Sequence, residues 1–178
     1  MPATQIVAKS PIGFDDAKVK QITDALNADI ATLFQLFKQF KKHEWYLSGT
    51  EYQMLHTCYA NWADRALEDA DEIAKRVVAV GGVPINPASA EAASAFKFEA
   101  ADVPGVRQML ENDLTAEQAL FGKLREHIPL LENQGDYASS ILLRHILKEE
   151  EDIARKLALY IQHEGLAHAL IHAETKKP

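Results

Sequence analysis

Two glutamates stand where apolar side chains belong. Glu117 lies seven residues after Leu110 and seven before Leu124, and Glu150 sits between Leu147 and Ala154. A carboxylate in an apolar seam is costly unless it is paired, hydrogen-bonded or bound to a metal ion. Inward carboxylates on facing helices are how helical bundles hold pairs of iron ions. The alternative is a helix face turned slightly, which would leave one or both residues at the rim. Such a centre also needs ligands from two further helices, and near their seams only Asp69 stands out. A second constellation gathers His43, Glu44 and Trp45, then His56, then Asp71, Glu72 and Lys75. His56 and Asp71 are fifteen residues apart on one helical stretch, about 22 Å at 1.5 Å per residue. They can share a metal ion only if a two-fold partner lays the far end of its own helix alongside. A third group is His163, His168 and His172, of which the last two have the i, i+4 spacing that can hold zinc on a helix. An exposed tail with ordinary surface histidines is the alternative there. His127 and His145 have no visible partners, and Cys58 reads as a small packed side chain.

Four long helices are needed to position these groups. Leu26, Ile30, Leu33, Phe37, Phe40 and Leu47 form one stripe at spacings of three and four, beginning after Asp15. Thr50 is a candidate N-cap for a second helix over about 51–80, with Leu55, Tyr59, Trp62, Ala66, Ala70, Ile73 and Val77 on its apolar face. Gly81 and Gly82 end it, and Pro84 and Pro87 forbid easy resumption. Residues 85–103 form the one long connection, whose SAEAASAF stretch predicts a short crossing helix. The third helix is expected to open at Asp102–Pro104, since proline fits a first turn. Its stripe is Val106, Leu110, Asp113, Glu117, Leu120, Leu124 and Leu131, with a kink expected at Pro129 and a stop at Gly135. A fourth follows from about Tyr137, facing inward with Leu143, Leu147, Glu150, Ala154, Leu157 and Ile161. No strand-like alternation interrupts this plan. Two helices, one long crossover and two more helices describe an all-α, ferritin-like four-helix bundle with a short helix in the crossover. The expected organisation is an extended arm over 1–14, the bundle over 15–165 and a tail over 166–178.

Composition narrows the function classes. The chain has 178 residues, 47% hydrophobic, and 19 Lys and Arg against 26 Asp and Glu give a net charge of −7. That is one domain with a full core. A single cysteine excludes an intrachain disulfide and a cysteine-based zinc site. No apolar run approaches the ~18 residues of a membrane span and the first residues lack a secretory apolar core, so the expectation is a soluble, cytoplasmic protein. The acidic balance, with one lysine in residues 1–14, argues against direct duplex binding.

Residues 26–82 resemble the first two helices of the Dps family, carrying LN, W-Y-x-x-G, L-H, D-E-x-A-x-R and the Gly-Gly-x-Pro exit. Residues 107–128, RQMLENDLTAEQALFGKLREHI, look most like the cyanobacterial DpsA-type branch and distantly like bacterioferritin. The resemblance spans roughly residues 20–162. It implies a hollow homododecamer built from two-fold dimers, which oxidises Fe(II) with peroxide, stores ferric mineral and so protects DNA. Its oxidation centre would lie across the dimer interface.

Matched residue by residue, both iron centres of the wider family are depleted. At the interface Glu44 replaces a histidine, His56 and Asp71 are retained, Ala60 stands for an acid, and Lys75 replaces the glutamate that is usually the strongest ligand. An ammonium offers no lone pair and repels Fe²⁺. Glu44 and Lys75 are therefore expected to form an intersubunit ion pair in the metal's place. The alternative leaves Glu44, His56 and Asp71 as a reduced set for one Zn²⁺ or Fe²⁺ ion. The bacterioferritin likeness places Glu117 and Glu150 on inward ligand positions, with Ile153, Ala66 and Asp69 where Glu-x-x-His pairs would continue. Two functions stay open: an iron-storing, stress-protective cage with atypical oxidation chemistry, or a shell that has lost oxidation.

Overall fold

A computed structural model describes residues 9–47, 52–99 and 104–162. The proposed arm beyond its last six residues, the Thr50 cap, Asp102 and the histidines from His163 onward lie outside them.

Helix α1, Asp16–Tyr46, starts where the Asp15 side chain accepts the Lys18 N–H at 2.9 Å, satisfying one of the free amides of a helix start. Helix α2, Gln53–Val80, ends at Gly81 with φ +103°, a left-handed conformation that only glycine adopts without strain. The next residue is glycine for a different reason. A Cβ on Gly82 would lie 2.1 Å from the Thr23 hydroxyl, so here the crossover touches α1 directly. The crossover holds a 3₁₀ turn, Pro87–Ser89, and the short helix α3, Ala90–Ala93, inside the stretch the sequence marks as helical. The third long helix, α4, spans Val106–Asn133 with Gly105 as its N-cap. It starts later than Asp102–Pro104, because Pro104 lies before the cap and not in the first turn. Pro129 does not end α4, which continues to Asn133 before Gly135 turns the chain at φ +81°. Helix α5 covers Tyr137–Gln162, with Asp136 accepting the Ser139 N–H at 3.1 Å in its first turn.

Hydrogen bonds between helices fix the topology. Gln39 and Asp29 of α1 reach Asp113 and His127 of α4, so these two helices run antiparallel. Cys58 and Arg76 of α2 contact Tyr160 and Ser139 of α5, which makes that pair antiparallel too. Phe40 of α1 packs on Tyr59 and Trp62 near the start of α2 while Asn27 reaches Val83 just past its end, so α1 and α2 are antiparallel, α2 and α4 are parallel, and a long crossover joins them. It lies on α1, where Asn27 clamps Val83 O and Ile85 N at 3.0 and 2.8 Å, and Thr32 Oγ1 accepts the Ala95 N–H. This is the all-α four-helix bundle with an inserted short helix that the spacing predicts. The core runs through its centre with Ile30, Leu33, Phe40, Tyr59, Ile73, Leu120, Leu124 and Leu157 fully enclosed. Among the described residues no helix is long and apolar enough to cross a membrane.

Candidate metal centre

Glu117 and Glu150 are both 0% exposed, so neither sits at the rim. No N–H or hydroxyl among the described residues donates to any of their four carboxylate oxygens. Asp69 is 1% exposed and, like Glu117, lies near enough to Glu150 for the acids to act on one another. Burial pushes all three carboxyls up, and the neighbouring acids push Glu117 and Glu150 further. Glu150 is raised to about 8 and Glu117 well above its ordinary value. At neutral pH the cluster therefore holds protons, and Asp69 is the acid most easily ionised because Arg65 lies 3.0 Å from it.

A fourth polar group joins at the same level. The contacts of Gln39 with Asp113 and of Asp29 with His127 set the α1–α4 register. One turn from Gln39 and Asp113, that register places Gln35 level with Glu117. Gln35 is 1% exposed, its carbonyl accepts Lys38 Nζ at 3.1 Å and its amide N–H₂ has no acceptor. Each long helix thus gives one buried polar residue to this layer: Gln35, Asp69, Glu117 and Glu150. In the arrangement present, no three His, Cys, Asp or Glu side chains among the described residues are placed to hold one metal ion. What fits a cation is the pair of unanswered carboxylates, with Asp69 held aside by arginine.

One turn toward the far end of the bundle lies a network in which the polar groups are answered. His43 is fully buried, with Nδ1 2.7 Å from Asp113 Oδ2 and Nε2 2.9 Å from Glu99 Oε1. Tyr59 donates to Asp113 Oδ2 at 2.6 Å and Gln39 to Oδ1 at 2.8 Å. Burial disfavours the imidazolium, but Asp113 and Glu99 outweigh it and raise the His43 pKa. Lys42 and Asn112 also donate to Glu99, whose pKa falls against the opposing effect of burial. The sequence places Asp113 in the apolar stripe and His43 in the second constellation, but nothing in it joins residues seventy apart. The first helix also carries an inward carboxylate that its pattern does not reveal. Asp29 Oδ1 lies 2.8 Å from His127 Nδ1, giving His127 a partner too. His145 stands 3.7 Å from Glu149. Cys58 is half-buried, with Sγ 3.7 Å from the Tyr160 hydroxyl.

The residues expected at an interface fall into two groups within the chain. Glu44, at the end of α1, has one oxygen 4.0 Å from His56 Nε2 and pairs with Lys41 through the other. Asp71 and Lys75 lie further along α2, 2.5 Å from each other and exposed. Ala60, one turn after His56, offers no ligand there.

The ferritin-like domain family matches residues 23–166. The chain is 37% identical over 165 residues to a DNA protection during starvation protein of Halobacterium salinarum, covering 92% of this chain and 91% of that one. A nutrient stress-induced DNA-binding protein of Synechococcus is 30% identical over 156 residues, 87% of this chain and 89% of that one. The archaeal protein is thus the more similar of the two, and the likeness is not to the cyanobacterial branch in particular. Among solved structures, an archaeal Dps homologue from Halobacterium salinarum superposes with a TM-score of 0.84 over 91% of each chain at 37% identity. DpsC from Streptomyces coelicolor gives 0.84 at 23% identity over 88% of this chain and 92% of its own, a likeness of fold. With its crossover, its helix directions and its match over most of its length, this chain belongs to the Dps family of ferritin-like proteins.

Proposed function

We propose that this chain is a subunit of a homo-oligomeric Dps-like cage, a dodecamer of two-fold dimers, that takes up and stores iron and limits peroxide damage. Its iron is handled at the interior layer of Asp69, Glu117 and Glu150 in preference to the depleted interface. One observation carries this reading: four buried carboxylate oxygens of Glu117 and Glu150 have no protein donor. A fold that gains nothing from such groups has apolar residues there at no loss. Fe²⁺ is the substrate. Two Fe²⁺ ions give two electrons to hydrogen peroxide, which takes two protons and leaves as two waters. The glutamates surrender their protons to bind the cation, and the dry core strengthens that attraction. Exposed Trp45, Tyr46 and Met54 beside Glu44 and His56 support burial of this end against a partner. There Glu44 is expected to meet Lys75 of the partner subunit.

The test is stopped-flow Fe(II) oxidation by peroxide, then by O₂, with the full-length protein. Oxidation above a protein-free control, with iron co-eluting with a large oligomer and lost in Glu117→Gln, is the expected result. A second reading, a non-catalytic shell or partner-binding subunit, is favoured by the ammonium of Lys75 lying 2.5 Å from Asp71. A rate equal to control supports that reading. Lys75→Glu restoring oxidation independently of Glu117 would place the chemistry at the interface instead. Zn²⁺ at Glu44, His56 and Asp71 is the corresponding binding-only alternative.

A further inference from the structure

Arg65 stands one turn before Asp69 on α2 and faces two acids of unlike surroundings. Its Nε and Nη2 lie 3.2 and 3.0 Å from the two oxygens of Asp69, which is buried. Its Nη1 lies 3.3 Å from Glu149 Oε2 on α5, a side chain 36% exposed. Outside the guanidinium is a groove of about 300 Å³ between α2 and α5, walled by Arg65, Lys148, Glu149, Asp152, Ile153 and Lys156. Asp152 is occupied by Arg155 and Lys156 at 2.9 Å each. Glu149 is held only loosely elsewhere, with His145 at 3.7 Å.

We propose that Arg65 is a two-position gate that competes with a divalent cation for Asp69. Turned inward it holds Asp69 by the Nε hydrogen bond to Oδ2 and the Nη2 ion contact with Oδ1. Turned outward into the groove it exchanges the loose 3.3 Å contact with Glu149 for a close pair and releases Asp69 to Glu117 and Glu150. This rests on the interior layer being the cation site. A guanidinium cannot shed its charge, so an arriving cation has to displace it and cannot neutralise it. The apparent affinity then falls by the fraction of molecules whose gate stands outward. Glu149 controls that fraction without touching the cation.

The gate gives opposite signs for two substitutions, and this separates it from a structural ion pair. Co²⁺ is titrated into metal-free, full-length protein, followed by calorimetry and by the visible absorption of bound cobalt. Arg65→Gln is expected to tighten binding roughly tenfold, the change for a gate that is inward nine-tenths of the time. Glu149→Gln is expected to weaken binding several-fold in the parent but to have no effect in the Arg65→Gln background. The double-mutant cycle is needed because removing any nearby carboxylate weakens cation binding directly. Equal weakening in both backgrounds, or both single variants within twofold of the parent, overturns the gate. If Arg65→Gln does not fold, an unchanged Kd in Glu149→Gln alone overturns it. Cobalt binding that Glu117→Gln leaves intact overturns the interior site, and the gate with it. Binding abolished by Glu117→Gln but indifferent to Arg65 and Glu149 removes the gate and leaves the site.

Discussion

Two buried polar layers lie one helical turn apart in the same bundle, and they are built in opposite ways. Around Asp113 the polar groups meet partners: His43, Tyr59 and Gln39 reach its two oxygens at 2.6–2.8 Å, and Glu99 takes the other face of the imidazole. Around Glu117 the carboxylates meet each other, and the amide of Gln35 meets nothing. Helices α1, α2 and α4 contribute to both layers, joined by α5 around Glu117 and by the crossover around Asp113, and both lie in the core. Burial of polar groups therefore does not by itself mark a functional site. An answered network specifies how helices dock, whereas an unanswered one is a local cost with no return in the protein alone. That cost is what the cation proposed for this layer would offset.

The strongest way to break this contrast is His43→Leu. The substitution leaves Asp113 buried with two neutral donors and Glu99 without its imidazolium. It is expected to cost about 3–5 kcal/mol, the range for breaking a buried pair from one side, measured by urea unfolding at pH 6. The pH dependence follows from a histidine pKa raised in the folded state. Its contribution is complete below the unfolded value of about 6.5 and fades as pH rises through the folded value. The gap between parent and variant should therefore narrow on the alkaline side. A variant as stable as the parent at pH 6 would show that the answered layer holds nothing together.

Glu117→Gln should act in the other direction. A carboxyl with a raised folded pKa favours the folded state while protonated and opposes it once the pH climbs toward that pKa. For this layer the penalty is absent near pH 4 and grows up to about 8, where Glu150 titrates. Removing one acid is expected to stabilise the protein on the order of 1–3 kcal/mol at pH 8.5, and to change little at pH 4.5. Adding Co²⁺ should reverse the order, raising the Tm of the parent and leaving that of the variant unmoved. Equal stability at both pH values, with or without cobalt, would erase the distinction between the layers.

How much of this was legible beforehand differs between the layers in a physically sensible way. Helix spacing displays an acid that breaks an apolar stripe, so Glu117, Glu150 and Asp113 are visible from local sequence. Partnership is not local. His43 and Asp113 are seventy residues apart, and Asp29 and His127 ninety-eight, so the sequence can show a misfit but not its answer. Gln35 escapes for a second reason, since a glutamine among apolar residues on α1 signals neither charge nor ligand. The sequence places the start of α4 too early because proline suits both the first turn and the residues just before a cap. Assembly lies beyond any single chain. The separation of His56 from Asp71 is the kind of feature that a single chain leaves unexplained.

The finest test uses two glutamines on one helix. Gln39 and Gln35 are one turn apart on α1, almost equally buried, and serve the answered and unanswered layers respectively. Gln39→Met removes a donor to a buried carboxylate and is expected to cost about 1–3 kcal/mol. Gln35→Met removes an amide that has no acceptor and a weakly held carbonyl, so its cost should stay within about 0.5 kcal/mol. Methionine keeps the length and apolar bulk of the side chain, which limits packing differences to those common to both sites. Cobalt titration then adds a readout of opposite rank. Gln35→Met should weaken binding several-fold if its carbonyl turns to the cation, while Gln39→Met leaves binding unchanged at equal folding. If both glutamines cost the same stability and neither moves cobalt affinity, the two layers are one polar core, and the interior reading loses its physical basis.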